Sequence, residues 1–480
     1  MWRVRKIVYI ILLLFISNSN NIFSQISFST NSRYSIPGSG GSIRCVSFNM
    51  DADLNKEILA SADYYAPVFR KLKYVNYQLE LIDSLALLHT SMIQNMTYGN
   101  FNSDSLKDVV ISYDDSIAIY FQDSTTSFFS NSQTLSFYSG HAAFGIAVGD
   151  LNSDGFDDIA VTHWLDTVLN VYYQNSSHQF DTVNYYKKTS SQNELKISDI
   201  NNDGFNDLVV ANSAPISGSN PDANRYSFSI YLQDSVTRML QVPLVYSITE
   251  SQSILNPTKG LDIADLNNDG LKDIVTSSLL DSLHIWYQDG ANSRFFSNPV
   301  SLRTYINTAT SSIRDFNNDG VPEIIVGHEA ADNISIFQQD SMYSFNSYFL
   351  NPVWLAGHLG SSEITFEDIN GDGYLDVICA YQYGISVLCN ESNIGVSDFT
   401  YDRNYIKVFP NPITSNKINF ISTDGGTWSL FDEMGQLISE GETRKGLNEI
   451  YFDPKSCKIY FLTVYLNNGI RVTKPLLILK

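Results

Sequence analysis

Seven short acidic segments recur along this chain of 480 residues. They begin at residues 49, 100, 150, 199, 265, 315 and 368, and the last of them reads "DINGDGYLD". Five of the six intervals between them lie between 49 and 53 residues. A regular repeat of this length indicates copies of one supersecondary unit that bury their apolar faces against each other. This period constrains the fold more than any other feature of the sequence.

Apolar stretches that predict β-strands surround each acidic segment. One precedes it ("FGIAVGD") and one follows at once ("DIAVT"), a third ends alike in most repeats ("IAIYFQD", "LHIWYQD"), and a fourth is more polar ("FSNPVSLRTYI"). Four antiparallel strands form one propeller blade, and a closed ring of blades leaves no exposed sheet edge. The prediction is an all-β protein: a seven-bladed β-propeller over residues 25–392, followed by a small C-terminal β-sandwich domain.

The two ends of the predicted ring complement each other. The seventh repeat stops after its third strand, "ISVLCN", and residues 26–36 ("ISFSTNSRYSI") read as a strand without a repeat of its own. We therefore expect residues 26–36 to complete the last blade and to close the ring.

Oxygen-bearing side chains occupy positions 1, 3, 5 and 9 of each acidic segment. A hard cation such as Ca²⁺ takes about six to eight oxygen ligands, and a glycine at position 6 permits the sharp turn that such a loop needs. An EF-hand is excluded in the seventh segment, because its twelfth position is Cys379 and the residues "VICAY" read as a strand rather than a helix. The alternative to a metal loop is an Asx-turn that only shapes the backbone.

The D-x-N-x-D-G-x-x-D loop between an apolar strand and a "DIVV"-like strand resembles the FG-GAP/VCBS repeat of integrin-type propellers, over residues 26–392. That resemblance implies structural Ca²⁺ at the turn between the first and second strands of a blade. The ligands that it implies in the five regular loops are Asp150, Asn152, Asp154, Asp158, Asp199, Asn201, Asp203, Asp207, Asp265, Asn267, Asp269, Asp273, Asp315, Asn317, Asp319, Glu323, Asp368, Asn370, Asp372 and Asp376.

The first two loops depart from the family pattern. Each begins with asparagine, and Leu54 and Ser105 stand where the pattern has glycine. They are predicted to be weaker calcium sites, with the candidate ligands Asn49, Asp51, Asp53, Glu57, Asn100, Asn102, Asp104 and Asp108.

The N-terminus predicts export. A basic segment, "MWRVRK", precedes the apolar run "IVYIILLLFI", which indicates a signal peptide over residues 1–24 with cleavage after Ser24. No later stretch reaches the roughly 18 apolar residues of a membrane span, so no transmembrane segment is expected in the mature chain. The formal net charge of −21 argues against nucleic-acid binding, which needs a basic surface.

The last part of the chain has a different character. After a linker over residues 393–404, residues 405–480 contain short predicted strands separated by turn sequences, as a small β-sandwich requires. The segments "FPNP", "LFDEMGQLI" and "CKIYFL" resemble the C-terminal sorting domain of the Bacteroidetes type IX secretion system, although Lys458 stands where glycine is usual. That resemblance implies passage through the type IX secretion machinery to the cell surface or medium. The alternative is an ordinary accessory β-domain.

Two classes of function remain open on the sequence. The first is a monomeric, non-enzymatic binding or adhesion module whose glycan or protein ligand contacts the face opposite the acidic loops. Histidines and aromatic residues gather in the loops expected there, including His163, Trp164 and His328, together with the rare cations Arg225 and Arg303. The second is a polysaccharide lyase or hydrolase, although no motif fixes catalytic carboxylates. Cys379 and Cys389 are either a disulfide pair or two small buried residues.

Overall fold

The computed structural model describes the chain in two compact units, Met1–Ser392 and Asn393–Lys480. Strands are the only regular elements within the described ranges. The predicted signal peptide and linker lie outside them. The described residues are 32–36, 43–51, 56–62, 67–75, 78–87, 91, 93–126, 128–136, 142–163, 168–187, 190–215, 227–247, 258–278, 281–290, 296, 298–304, 308–328, 333–339, 345–346, 361–381, 384–390, 406–409, 417–422, 424–432, 437–452, 459–466 and 471–477.

The first unit contains seven four-stranded antiparallel sheets, numbered here in chain order. Sheets 1 to 3 consist of β2 (Arg44–Phe48), β3 (Glu57–Ala62), β4 (Val68–Val75) and β5 (Gln78–Ala86); β6 (Asn95–Gly99), β7 (Asp108–Ser112), β8 (Ser116–Asp123) and β9 (Phe128–Ser136); and β10 (Ala143–Gly149), β11 (Asp158–His163), β12 (Val168–Tyr173) and β13 (Thr182–Lys187).

The remaining four sheets follow the same order, except that the last one includes β1. Sheets 4 to 7 consist of β14 (Ser190–Ser198), β15 (Asp207–Pro215), β16 (Ser227–Tyr231) and β17 (Leu244–Tyr246); β18 (Thr258–Ala264), β19 (Asp273–Ser278), β20 (Ser282–Trp286) and β21 (Val300–Arg303); β22 (Thr308–Arg314), β23 (Glu323–His328), β24 (Asn333–Gln339) and β25 (Phe345–Asn346); and β26 (Ser361–Glu367), β27 (Asp376–Tyr381), β28 (Gly384–Leu388) and β1 (Ser32–Ser35).

Burial decreases from the second strand of a sheet to the fourth. The second strands β7, β11, β19 and β23 are buried along their whole length. The fourth strands β5, β13 and β21 are largely exposed. A strand that is apolar on both faces lies between two layers of structure, which explains why the second strand reads as a continuous apolar run.

Each sheet shares an apolar cluster with the next one in the chain. Seven such clusters join consecutive sheets, and one of them returns from sheet 7 to sheet 1. In that returning cluster, Ile58 and Ala60 of sheet 1 are buried with Ile378 and Val387 of sheet 7. Each fully buried isoleucine or valine side chain stabilises the fold by about 1.5–3 kcal/mol. This cyclic packing is consistent with a β-propeller.

A side-chain amide at the end of the third strand links most sheets to the preceding acidic loop. Gln122 Nε2 donates to Met50 O at 2.6 Å, and Gln174 Nε2 donates to Phe101 O at 3.0 Å. The same bond recurs from Gln288 to Ile200 O, from Gln339 to Leu266 O and from Asn390 to Phe316 O, at 2.7–2.8 Å. This bond gives a physical reason for the glutamine that ends "IAIYFQD" and its counterparts.

The N-terminal strand joins the last sheet. β1 pairs with β28 from Ser32 opposite Val387 to Ser35 opposite Gly384. Ser32 Oγ also accepts the backbone N–H of Leu79 in sheet 1 at 2.9 Å. Residues 26–31 of the predicted closing strand lie outside the described part of the chain.

The second unit contains two antiparallel sheets that share one apolar core. One consists of β29 (Ile406–Phe409), β30 (Lys417–Ser422) and β33 (Gly446–Tyr451), and the other of β32 (Leu437–Thr443), β31 (Gly426–Asp432), β34 (Ile459–Leu466) and β35 (Arg471–Leu477). Phe420 from the first sheet and Leu430 and Leu462 from the second belong to that core.

Two further expectations concern cysteines and membrane spans. Cys379 and Cys389 are buried, as is Cys45, and the first two form no disulfide with each other. Within the described residues, no helix is long and apolar enough to cross a membrane.

Candidate functional site

The five regular acidic loops share one hydrogen-bonded turn, which the seventh loop illustrates. Asp368 accepts the backbone N–H of Asp372 at Oδ1 (3.1 Å) and that of Gly373 at Oδ2 (2.9 Å). Asn370 Oδ1 also accepts the N–H of Asp372 at 2.9 Å, and its Nδ2 donates to Asp372 Oδ2 at 3.0 Å. Asp372 Oδ1 then accepts the N–H of Tyr374 at 2.9 Å. These hydrogen bonds to the backbone of the turn hold the side chains at positions 1, 3 and 5 close together.

The same backbone bonds recur in the loops that begin at Asp150, Asp199, Asp265 and Asp315. Position 5 donates to position 1 at 3.1–3.2 Å, and position 6 donates to the other oxygen of position 1 at 2.8–2.9 Å. The position 6 glycines all have φ between 84° and 89°, and no atom lies within 4 Å of where a Cβ would be. Glycine is favoured there by its backbone conformation and not by crowding.

The carboxylate at position 9 is buried and accepts two backbone bonds. Asp158 is fully buried; its Oδ2 accepts the N–H of Leu151 at position 2, and its Oδ1 accepts the N–H of Gln174 from the third strand, both at 2.9 Å. Burial, together with the charges of the nearby Asp154 and Asp150, raises the pKa of Asp158 to about 7. The three acids of one loop are therefore close enough to repel each other.

The remaining position 9 carboxyl groups behave in the same way. Burial raises the pKa of Asp207 and Asp376 to about 7, of Asp273 and Asp108 to about 6, and of Glu323 to about 8. The sixth loop differs in one hydrogen bond. Asn317 Nδ2 donates to Oε1 of the longer Glu323 side chain at 3.0 Å.

The donor set of these loops fits a hard cation. Every polar side chain at positions 1, 3, 5 and 9 offers oxygen, and a carboxylate oxygen that accepts one N–H keeps a second lone pair. A bound divalent ion would supply positive charge among three carboxylates. Within the described residues, no group of three or more His, Cys, Asp or Glu side chains is already arranged around one point as a metal site. The fit therefore rests on donor chemistry and charge.

The second loop keeps most of this geometry. Asp104 and Asp108 accept the same backbone bonds as their counterparts, and Ser105 takes a φ of 60° at the glycine position. Asn100 differs: the described residues offer no hydrogen-bond partner to its buried Oδ1.

The first loop is unlike the others. Asn49 Oδ1 accepts the N–H of Asp51 at 3.1 Å, and Met50 N–H donates to Glu57 Oε2 at 2.8 Å. Asp53 lies outside the described residues. Lysine side chains from β4 contact the other acids of this loop, and no such contact occurs at the described residues of the regular loops.

Two of the histidines expected to face a ligand do not do so. His163 and His328 are completely buried at the ends of β11 and β23, and His328 Nε2 lies 2.9 Å from Ser335 Oγ. The sequence placed them in loops, but the strands extend through both. Arg303 is exposed and pairs with Asp281 at 3.2 Å. The other histidines and aromatic residues proposed for that face, and Arg225, lie outside the described residues.

The structure also contains a central cavity that sequence reasoning missed. The first strands of all seven sheets line it, and its volume is about 550 Å³. Charged side chains of both signs face it: Arg44, Glu194, Lys196, Lys259, Arg314 and Glu363. The alternation of charged and apolar residues in "ELKIS" is the sequence feature that could have revealed this face.

Acidic side chains on three first strands accept hydrogen bonds from the first strand of the following sheet. Glu194 accepts the N–H of Leu261 at 2.9 Å, and Asp262 accepts that of Ile313 at 2.8 Å. Glu363 closes the ring by accepting the N–H of Cys45 at 3.1 Å. These carboxylates therefore hold neighbouring first strands together.

Comparison with known proteins identifies the repeat. A family model described as "FG-GAP-like repeat" matches residues 100–161, 199–276, 265–326 and 315–379, just over half of the chain. A crystal structure of BBS1N in complex with ARL6DN, soaked with lead, has a TM-score of 0.50 at 9% identity and covers 76% of this chain and 96% of its own. A crystal structure of Chaetomium thermophilum Raptor has a TM-score of 0.46 at 11% identity and covers 75% and 29%. No curated protein matches this chain.

Those similarities concern the fold. At such low identities, the solved structures carry no information on ligands or partners. Together with the seven sheets, the matches mean that FG-GAP-like repeats form a β-propeller in this chain.

The cavity generates a prediction about pH. Burial raises the pKa of Glu363 to about 7, and Arg44 opposes this rise. Because the pKa in the folded protein lies above that in the unfolded chain, the stability due to this group decreases as the pH rises through about 7. The Glu363→Gln variant cannot ionise and keeps an oxygen for the Cys45 N–H. We expect it to melt like the parent protein at about pH 5 and to be more stable at about pH 8, by roughly 1–2 kcal/mol after allowance for water in the cavity.

Thermal denaturation at both pH values measures this difference. Glu80→Gln is the matched control, because it removes an exposed carboxylate of β5 that lies outside the cavity. A Glu363→Gln effect of equal size at both pH values would contradict the prediction.

Proposed function

Because this chain belongs to the family of FG-GAP-like repeat proteins, we propose that it is a calcium-stabilised β-propeller that acts outside the cell as a non-enzymatic binding module. The observation that carries the proposal is the common geometry of the five regular loops. Each loop gathers carboxylate and amide oxygens on a turn whose backbone they shape. Oxygen donors on a tight turn are the ligands that Ca²⁺ prefers.

The proposed calcium sites have a structural role. Extracellular calcium modules bind with dissociation constants on the order of 10⁻⁴ to 10⁻³ M. At about 1 mM calcium, mass action then adds about 0.4–1.4 kcal/mol per site. Five regular sites contribute several kcal/mol in total, a large part of the stability of an ordinary protein. The second loop belongs to the same set as a weaker site, and the backbone hydrogen bonds that it shares with the regular loops support its inclusion.

The protein is further proposed to consist of seven blades in a closed ring, followed by a C-terminal β-sandwich. The seven sheets, the seven shared clusters and the pairing of β1 with β28 support the first element. The common core of the two C-terminal sheets supports the second.

Removal of calcium is expected to lower the melting temperature. Without the ion, the three acids of each loop repel each other, so a chelator should destabilise the protein by several degrees. Calcium should restore the stability, and magnesium should do so poorly, because it requires a smaller octahedral shell. Asp372→Ala should remove a fraction of the response to calcium. Melting curves with chelator and with each ion measure these effects.

Asp234→Ala provides the control for a simple turn effect. Asp234 accepts the N–H groups of Val236 and Thr237 in an exposed turn outside the acidic loops. Its replacement should lower stability without changing the response to calcium. A melting temperature that is indifferent to chelator would show that the seven loops are Asx-turns and nothing more.

The ligand is proposed to be a glycan or a protein. The central cavity supports this proposal, since it offers charges of both signs to polar groups. No observation on the described residues favours the polysaccharide-active enzyme. We expect the mature chain to bind members of a glycan or protein array and to release no new reducing or unsaturated sugar ends from polysaccharides. Release of such ends would favour the enzyme instead.

Export through the type IX secretion machinery is proposed for the same chain, with residues 405–480 as the sorting domain. The motifs of this segment support the proposal. A variant that lacks residues 405–480 should accumulate in the periplasm of its native host, and the mature extracellular form should end near residues 392–402. Immunoblotting of cell fractions and mass spectrometry of the secreted protein measure both outcomes. Full-length chain to Lys480 outside the cell would contradict the sorting role.

A further inference from the structure

The first acidic loop faces a lysine where the other loops face an uncharged residue. Glu57, its position 9 carboxylate, pairs with Lys73 of β4 across the sheet. In the other sheets, the register between the second and third strands, continued by one residue, gives the residue opposite position 9. These residues are Phe121, Tyr173, Leu232, Tyr287, Gln338 and Cys389. Lys73 is therefore the single cation among the seven equivalent positions.

Lys73 forms an ion pair at the place where most other loops make a hydrogen bond with backbone. In the regular pattern, the second oxygen of the position 9 carboxylate accepts an N–H from the third strand, as Asp158 does from Gln174. Glu57 keeps the first bond, from Met50 N–H, but its Oε1 lies 3.0 Å from Lys73 Nζ. The ammonium group of Lys73 thus lies beside the carboxylate where a backbone N–H lies in most other loops, and the contact is an ion pair rather than a hydrogen bond.

The same ammonium group also reaches position 3 of the loop. Lys73 Nζ lies 3.3 Å from Asp51 Oδ2, and Lys71 Nζ lies 3.8 Å from the same oxygen. The Lys73 and Lys71 side chains are 15% and 6% exposed, and Glu57 is fully buried. Two lysines therefore place positive charge between the third and ninth positions, which are candidate metal ligands in the other loops.

We propose that the Lys73 ammonium takes the place of a metal ion in the first loop, so that this loop binds no calcium and keeps its shape without it. A divalent cation would have to displace an ammonium group that already neutralises the same carboxylates. The side chain at position 6 is leucine, which lacks the backbone freedom of the glycine in the regular loops. The contrast with the other loops rests on their proposed calcium binding, but the role of Lys73 can be measured separately.

The number of bound calcium ions tests whether the first loop binds calcium. Native mass spectrometry of the mature protein in calcium should give the same number for the parent protein and for Glu57→Gln. Asp376→Asn is the matched control, because it changes position 9 of the seventh loop and should reduce the number by one. Loss of one ion in Glu57→Gln would overturn the inference. If the parent protein binds no calcium, the proposed calcium function fails, and the second measurement decides the role of Lys73.

The melting temperature in excess chelator tests whether Lys73 stabilises the first loop without metal. Lys73→Met should melt several degrees below the parent protein, because Glu57 is left buried without its cation. Methionine has a similar length, and apolar residues occupy the equivalent position in other sheets, so the loss would report charge and not size. The double variant Glu57→Gln/Lys73→Met should melt above Lys73→Met, since it removes both charges together.

Lys107→Met is the control for loss of a lysine beside a loop acid. Lys107 is exposed and precedes Asp108, which already accepts backbone bonds at both oxygens. Its replacement should leave the melting temperature unchanged. Equal melting of Lys73→Met and the parent protein in chelator would overturn the inference, and so would a double variant that melts below Lys73→Met.

Discussion

The buried carboxylate at position 9 is the constraint on which the propeller depends. In most repeats it accepts one N–H from the acidic loop and one from the end of the third strand, so it joins three parts of its own sheet. The residue that donates the second N–H also sends its side-chain amide to the loop of the preceding sheet. One acidic residue thus fixes the loop within a sheet and, through its partner, the contact between sheets. Its burial has a cost, which the raised pKa values of these groups record.

Two different interfaces therefore hold neighbouring sheets together. At the level of the loops, amide side chains bond to backbone carbonyl groups, and around the cavity, carboxylates bond to backbone N–H groups. Between these polar contacts lie the apolar clusters of the second and third strands. The polar bonds are directional, so they fix the register of one sheet against the next, while the apolar contacts supply most of the stability.

The sequence predicted the features that repeat and missed those that depend on pairing. Period and alternation were enough to locate the strands around each acidic loop, because burial imposes both patterns. The cavity was missed because charged residues such as Glu194 and Lys196 alternate with apolar ones in strands read only as apolar. Lys73 was missed because its contact with Glu57 depends on the register between β3 and β4. His163 and His328 were misplaced because the ends of strands are the least certain part of a sequence pattern.

The pairing of β1 with β28 has a consequence for the order of folding. The first described strand of the chain needs a partner that is among the last parts of the same unit to be synthesised. Closing so long a loop is entropically unfavourable until most other contacts exist, so this pairing belongs to the late stage of folding. Until then, the six internal sheets can form in succession from local hairpins, and the seventh keeps an open edge. The growing chain therefore has a period in which most of its sheets can be present while the ring is still an open arc.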